Sequence, residues 1–170
     1  LGMSDTGFNL PKEKHSRCAS TAADNNAPVN QGFVHDPTAL ALGGVAGHAG
    51  LFSTIQDVSM WCWMMLGGGM VDGIRVMRRE TVARMTSPQS PFIGEERGFG
   101  VDIASDYNVR GELTVGSYGH TGFTGTSIWL DPANDLFVVL LTNGVHAKPL
   151  AKVTAVRRRL HAAISRARTD

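Results

Sequence analysis

The sequence has little cysteine, almost no net charge and no long apolar run. Two cysteines, Cys18 and Cys62, stand in 170 residues, too few for the disulfide frameworks of small secreted domains. Cys62 sits between Trp61 and Trp63 and reads as a small buried hydrophobe; no bridge to Cys18 is expected. Sixteen basic and fifteen acidic side chains leave a formal charge of +1, a balance that calls for neither nucleic acid nor an anionic membrane. The longest apolar-looking stretch, Met60 to Leu66, falls far short of the ~20 residues that span a bilayer. The opening Leu1-Gly2-Met3-Ser4-Asp5 lacks the charged start, apolar centre and cleavage site of a signal peptide. Leu1 is no natural initiator, so an upstream segment is expected, and the compartment stays open.

What is present suits one globular domain: 42% hydrophobic and 18% charged residues, with enough length to bury a core. Up to about Asn30 the pattern predicts extended loop with short turns. Gln31 to Gly50 is glycine-rich, which suggests backbone packed against backbone or unusual dihedrals. Ser53 with Gln56, or Thr54 with Asp57, has capping-box spacing, and the helix it opens should run to Leu66 and stop at Gly67-Gly68-Gly69. Its apolar residues (Val58, Met60, Trp61, Met64, Met65) surround much of the cylinder, so the helix should be largely buried. Ile74 to Met77 reads as a short strand and Arg79 to Met85 as a helix. Phe99 to Ile103, Glu112 to Thr121, Thr126 to Leu130 and Leu136 to Thr142 then read as strands. The last is apolar without alternation, which predicts burial on both faces. Leu150, Val153, Val156, Leu160, Ala163 and Ile164 form an apolar stripe on a terminal helix, Pro149 to about Ala167. Helices, then an antiparallel meander, then a covering helix define an α+β fold. Three meander strands are few for this length, so the sheet looks incomplete.

Gly119-His120-Thr121-Gly122-Phe123-Thr124-Gly125 is the most informative segment. A polar pair at a strand end is followed by glycines that leave room for another molecule to approach the backbone. An open strand edge can pair with an extended peptide-like substrate. An amide just after the bend can face a developing oxyanion, usually the largest electrostatic contribution in acyl transfer. His120 can exchange a proton near neutral pH. The spacing alone favours a simpler reading, a strand that ends in a glycine turn with a surface histidine.

Gly119 to Ser127, with Asp131-Pro132 and Val138-Val139-Leu140-Leu141-Thr142-Asn143, resembles the C-terminal strands of the class C β-lactamase superfamily. That superfamily includes low-molecular-mass penicillin-binding proteins, D-aminopeptidases and some esterases. Val34-His35-Asp36-Pro37, Leu42 to Thr54 and the opening Leu1-Gly2-Met3-Ser4-Asp5-Thr6 resemble the same branch. The family's site combines Ser-x-x-Lys, which supplies the nucleophile and its activating lysine, with Tyr-x-Asn and with Lys-Thr-Gly or His-Thr-Gly. Only the third occurs here, as His120-Thr121-Gly122: no serine has a lysine three residues on, and neither Tyr107 nor Tyr118 has asparagine two residues on.

The resemblance implies that residues 1–170 are the C-terminal portion of one β-lactamase-like domain, an antiparallel sheet with flanking helices, whose first strands and nucleophile lie upstream. It implies that His120 and Thr121 hold substrate and tune the acid–base group, that the Phe123 amide forms half of the oxyanion hole, and that Gly122 and Thr124 contact substrate. Lys148, near the start of the last helix, would help hold a substrate carboxylate. The expected reaction passes through an acyl-enzyme on a β-lactam, a D-amino-acid peptide or a carboxyl ester, with no metal or other cofactor. Partners would be the substrate and the upstream segment or a second copy; the location would be periplasmic or in the cell envelope. This chain alone should be inactive. Histidine in place of the lysine usual in true β-lactamases suits an esterase or carboxypeptidase at least as well.

Two other clusters have simpler readings. His35-Asp36 and His48 could join His120 or His146 around a metal, but zinc-type spacing is missing, and hydrogen bonds between loops near the cleft are the better expectation. The tail from Lys148 carries seven basic residues, Lys148, Lys152, Arg157, Arg158, Arg159, Arg166 and Arg168. It reads as a solvated helix face rather than an RNA-binding one, because no aromatics interleave it. The rival function is a non-catalytic interaction module that pairs its open sheet edge with a peptide or partner chain.

Overall fold

The computed structural model describes residues 1–21, 30–90, 96–105, 109–146 and 151–167. A short 3-10 helix, Lys12–Arg17, interrupts the N-terminal stretch expected to be only loop and turn. The stretch is pinned to the body by Asp57, whose Oδ2 accepts hydrogen bonds from the Asp5 amide and the Thr6 hydroxyl, each at 2.8 Å. Gly7 and Phe52 form an isolated bridge beside this anchor. Asp5 in turn pairs with Lys14 and Arg17, both at 2.7 Å. The Arg17 and then the Lys14 hydrogen bonds hold its carboxyl well below the usual range.

Helix α1 (Pro37–Ala41) starts at Asp36, whose side chain accepts from the Ala39 amide. The glycine-rich segment after it meets both expectations: Gly50 has φ +108°, and a Cβ there would lie 2.4 Å from the Gly44 carbonyl oxygen. Helix α2 (Ile55–Leu66) uses the second of the two proposed caps, with Thr54 Oγ1 accepting from the Asp57 amide. The return half of a capping box is missing because the Asp57 carboxylate serves the N-terminal stretch instead. Cys62, Met64 and Met65 are buried, while Trp63 is 47% exposed and lies edge-on to Phe137. Burial pushes the Cys62 thiol up to about 12.

After the glycines comes a hairpin of β1 (Met70–Val71) and β2 (Ile74–Arg75). Its turn residues, Asp72 and Gly73, have φ +49° and +76°, the backbone that an Asp-Gly hairpin turn requires. Helix α3 (Arg79–Met85) lies where the sequence puts it. Then five antiparallel strands form one sheet in the order β3 (Glu96–Arg97), β4 (Asp102–Ala104), β5 (Tyr118–Thr121), β6 (Ser127–Asp131) and β7 (Leu136–Leu140). The strand expected over Glu112 to Thr121 forms only from Tyr118, because Gly111 and Gly116 at φ +62° and +92° turn the chain before it. Strand β7 is an edge strand on which only Val138 is buried. The expected burial on both faces is found only in part: Phe137 and Val139 pack against the core beneath α2 and Leu136 against the Trp129 cluster on the other face, but at the sheet edge these three stay half-buried.

The two sheet faces pack differently. Tyr118 and Leu130 join Cys62, Met64, Met65, Val82, Val101 and Ile103 in the core beneath α2. Trp129, fully buried, faces the other way with Val109 and Leu113; its indole N–H donates to Ser117 Oγ at 2.9 Å. Helix α4 (Ala151–Arg166) lies on this second side, where His161 packs 6.2 Å from the Trp129 ring. Its inward face differs from the expected apolar stripe. Arg157 and His161 are buried, whereas Val156 is 48% exposed and Ala163 is also exposed.

Candidate functional site

Strand β5 ends at Thr121 and the chain reverses at once. The Gly122 amide donates to Thr126 O at 2.7 Å, and the Gly125 amide to Gly122 O at 3.1 Å. The first of these bonds fixes the phase of the ladder. Hydrogen-bonded pairs alternate along antiparallel strands, so if Gly122 bonds to β6, Thr121 and Gly119 turn their peptide groups away from it. On that side β4 meets β5 only at Asp102↔Gly119, and Thr121 lies beyond the last pair. Among the described residues the strand end therefore has an open edge.

Phe123 is the first central residue of the reverse turn. Among the described residues its amide donates to no protein acceptor, and the residue is 69% exposed. Beside it lies a cleft of about 370 Å³ lined by Thr121, Gly122 and Phe123 from the strand end and by Val153, Thr154 and Arg157 from α4. The structure thus brings three of the predicted residues together. His120 points with Tyr118 to the α2 face, by strand alternation, and does not line this cleft. It is exposed, and its Nδ1 donates to the Thr121 carbonyl at 2.8 Å, which leaves Nε2 as the ring atom open to another group. Thr124 uses its carbonyl to accept from the Gly144 amide at 2.6 Å. Lys148 falls outside the described residues.

The histidines of the glycine-rich side divide the work foreseen for them. His48 Nε2 bonds Asp36 Oδ1 at 3.1 Å, and the Ala39 amide, then His48, hold the Asp36 carboxyl below its ordinary value. His35 makes a ring contact, stacked on Phe123 at 5.9 Å between centroids. The glycine-rich segment is thereby tied to the turn that carries the open amide. No group of three His, Cys, Asp or Glu side chains suited to a metal occurs among the described residues, and no described helix is long and apolar enough to cross a membrane.

Arg157 is the site residue that the sequence did not reveal. Placed among solvated cations by its neighbours, it is 6% exposed and donates through Nη2 to Gly122 O at 2.8 Å and Thr126 O at 2.6 Å. Burial lowers its pKa, yet a guanidinium stays charged inside proteins. The only sequence signal was its place one turn after Val153 and one turn before His161, on the face that meets the sheet.

The fold and this strand end define a class. The architecture matches a penicillin-binding-protein homologue from Caulobacter crescentus with a TM-score of 0.59 at 16% identity, over 82% of this chain and 42% of that one. It also matches a β-lactamase from Mycobacterium bovis with a TM-score of 0.51 at 26% identity, over 70% and 44%. A family model described as Beta-lactamase matches residues 1–163, and the chain belongs to that family. Relatives named "Putative D-alanyl-D-alanine carboxypeptidase" are 37% identical in Escherichia coli K12 and 33% in Escherichia coli O157:H7, each over 86% of this chain. The chain spans 38% of the length of each of these relatives, and so only part of the β-lactamase and penicillin-binding-protein fold.

Proposed function

We propose that this chain is the C-terminal portion of a single serine hydrolase domain and supplies the substrate-holding strand and one oxyanion donor. The nucleophilic serine and its lysine would come from polypeptide upstream. The serine oxygen adds to the substrate carbonyl, the C–N or C–O bond to the leaving group breaks as that group takes up a proton, and water then releases the acyl group. The developing O⁻ would be held by the Phe123 amide together with the nucleophile's own amide. A site that presents donors where charge develops gains most of its rate in this way.

One observation carries the reading: among the described residues the Phe123 amide donates to no protein acceptor, and it stands at the end of His120-Thr121-Gly122, where β4 no longer covers the strand edge. Thr121 would offer its edge to the substrate backbone, and His120, whose Nδ1 is engaged by the Thr121 carbonyl, would use Nε2 to tune an acid–base group supplied from upstream. The names of the relatives favour a peptide ending in D-alanine as substrate, with β-lactams and carboxyl esters as further candidates.

The test exposes this chain alone, and the whole protein with its upstream sequence, to a fluorescent penicillin and a fluorophosphonate. Labelling of the whole protein only is expected. Labelling of neither would contradict the hydrolase reading and favour a non-catalytic module that pairs its strand edge with a peptide.

A further inference from the structure

Arg157 is buried where a cation is costly. Taking an unpaired charge out of water costs several kcal/mol even after relaxation, and among the described residues no carboxylate lies within ion-pair distance of it. Its partners are two carbonyls, Gly122 O and Thr126 O, and its Nε is buried with no acceptor. The neighbouring Arg158 and Arg159 are exposed. Clamping α4 to a hairpin does not by itself require a buried charge, since a neutral amide could donate to the same two oxygens.

The choice of carbonyl suggests the reason. Gly122 C=O and Phe123 N–H belong to one planar trans peptide and point in opposite directions. A guanidinium that holds the carbonyl towards α4 therefore turns the Phe123 N–H away from α4, on the side that the ladder leaves open. A positive charge on the carbonyl oxygen also draws electron density along the amide, which strengthens the N–H as a donor. We propose that Arg157 is a positioning residue of the oxyanion site: it orients the Gly122–Phe123 peptide and sharpens its N–H for the negative oxygen. The inference rests on the hydrolase reading above.

In the whole protein, Arg157→Met should lower kcat for a p-nitrophenyl ester by about 10- to 100-fold, less than the ~10²–10³-fold of deleting an oxyanion donor. KM should move by less than about twofold, as for a group that acts mainly in the transition state. Arg157→Lys, which keeps the charge, should recover part of the loss and serves alone if the methionine variant does not fold. In the free protein the Phe123 amide proton should shift upfield in Arg157→Met, a change that needs no turnover. A folded variant with wild-type kcat, or an unmoved Phe123 resonance, would overturn the inference alone. A wild-type protein that neither acylating probe labels would overturn the hydrolase reading and the inference with it.

Discussion

Gly119 lies where β5 crosses its partners, and a Cβ there would sit 2.1 Å from the Ile128 carbonyl and 2.5 Å from the Trp129 ring. Backbone on one side and a fully buried indole on the other leave nothing that can yield cheaply. Gly119→Ala should cost towards the upper end of the roughly 1–3 kcal/mol of overpacked cores, read as a lower urea midpoint; an unchanged midpoint would contradict the packing. His161 sets a pH dependence. Its Nδ1 donates to Val109 O at 2.6 Å, and its Nε2 is buried without a partner. Burial chiefly lowers its pKa; the Val109 bond opposes this, and the Arg157 charge adds to it. The unfolded chain then takes up a proton near pH 6.5 that the folded one refuses, so stability falls as pH drops from about 6.5 towards the lowered folded value. His161→Asn should flatten that slope; an identical slope in both proteins would refute it. The strand-end residues were legible through the resemblance of His120-Thr121-Gly122 to the family's third motif, since strands commonly end in glycine turns. Arg157 was not, since a cation in a basic run looks solvated until the helix face is known.

At the scale of elements, α2 depends on its cap. Thr54 Oγ1 accepts from the Asp57 amide at 3.2 Å, so Thr54→Ala should cost about 1 kcal/mol, measured by urea unfolding; no loss would mean that tertiary contacts alone hold the first turn. Helices α2 and α3 were read closely because caps, glycine stops and prolines are local signals, whereas α1 was missed: its five residues lie inside the glycine-rich stretch and are too few to show helical spacing. The strands were read less well, and each miss has its cause. The Asp72-Gly73 turn signal was present, but its flanking strands are two residues each, too short to show alternation. Glu112 to Ser117 has strand-like composition, yet it is spent on turns that bring Thr114 to the Asp131 carboxylate, where its amide donates at 3.0 Å. On α4, hydrophobic spacing pointed to Val156, whereas the face is chosen by Arg157 and His161 finding carbonyl partners.

For the whole molecule, β7 ends the sheet with one side of its backbone unpaired by any strand among the described residues. Leu42, Leu51 and Val45 are each more than half exposed. Open edges and apolar surface of this kind invite association, so gel filtration of this chain alone should show a size that grows with concentration. A constant monomeric size would argue that the edge is protected as it stands. The central claim concerns one amide, and a crystal structure of the whole protein after reaction with a fluorophosphonate tests it most directly. The account predicts a phosphoryl oxygen about 2.7–3.1 Å from the Phe123 nitrogen, the distance at which oxyanion donors act. An adduct whose oxygen is turned away from Phe123, towards other donors, would contradict it.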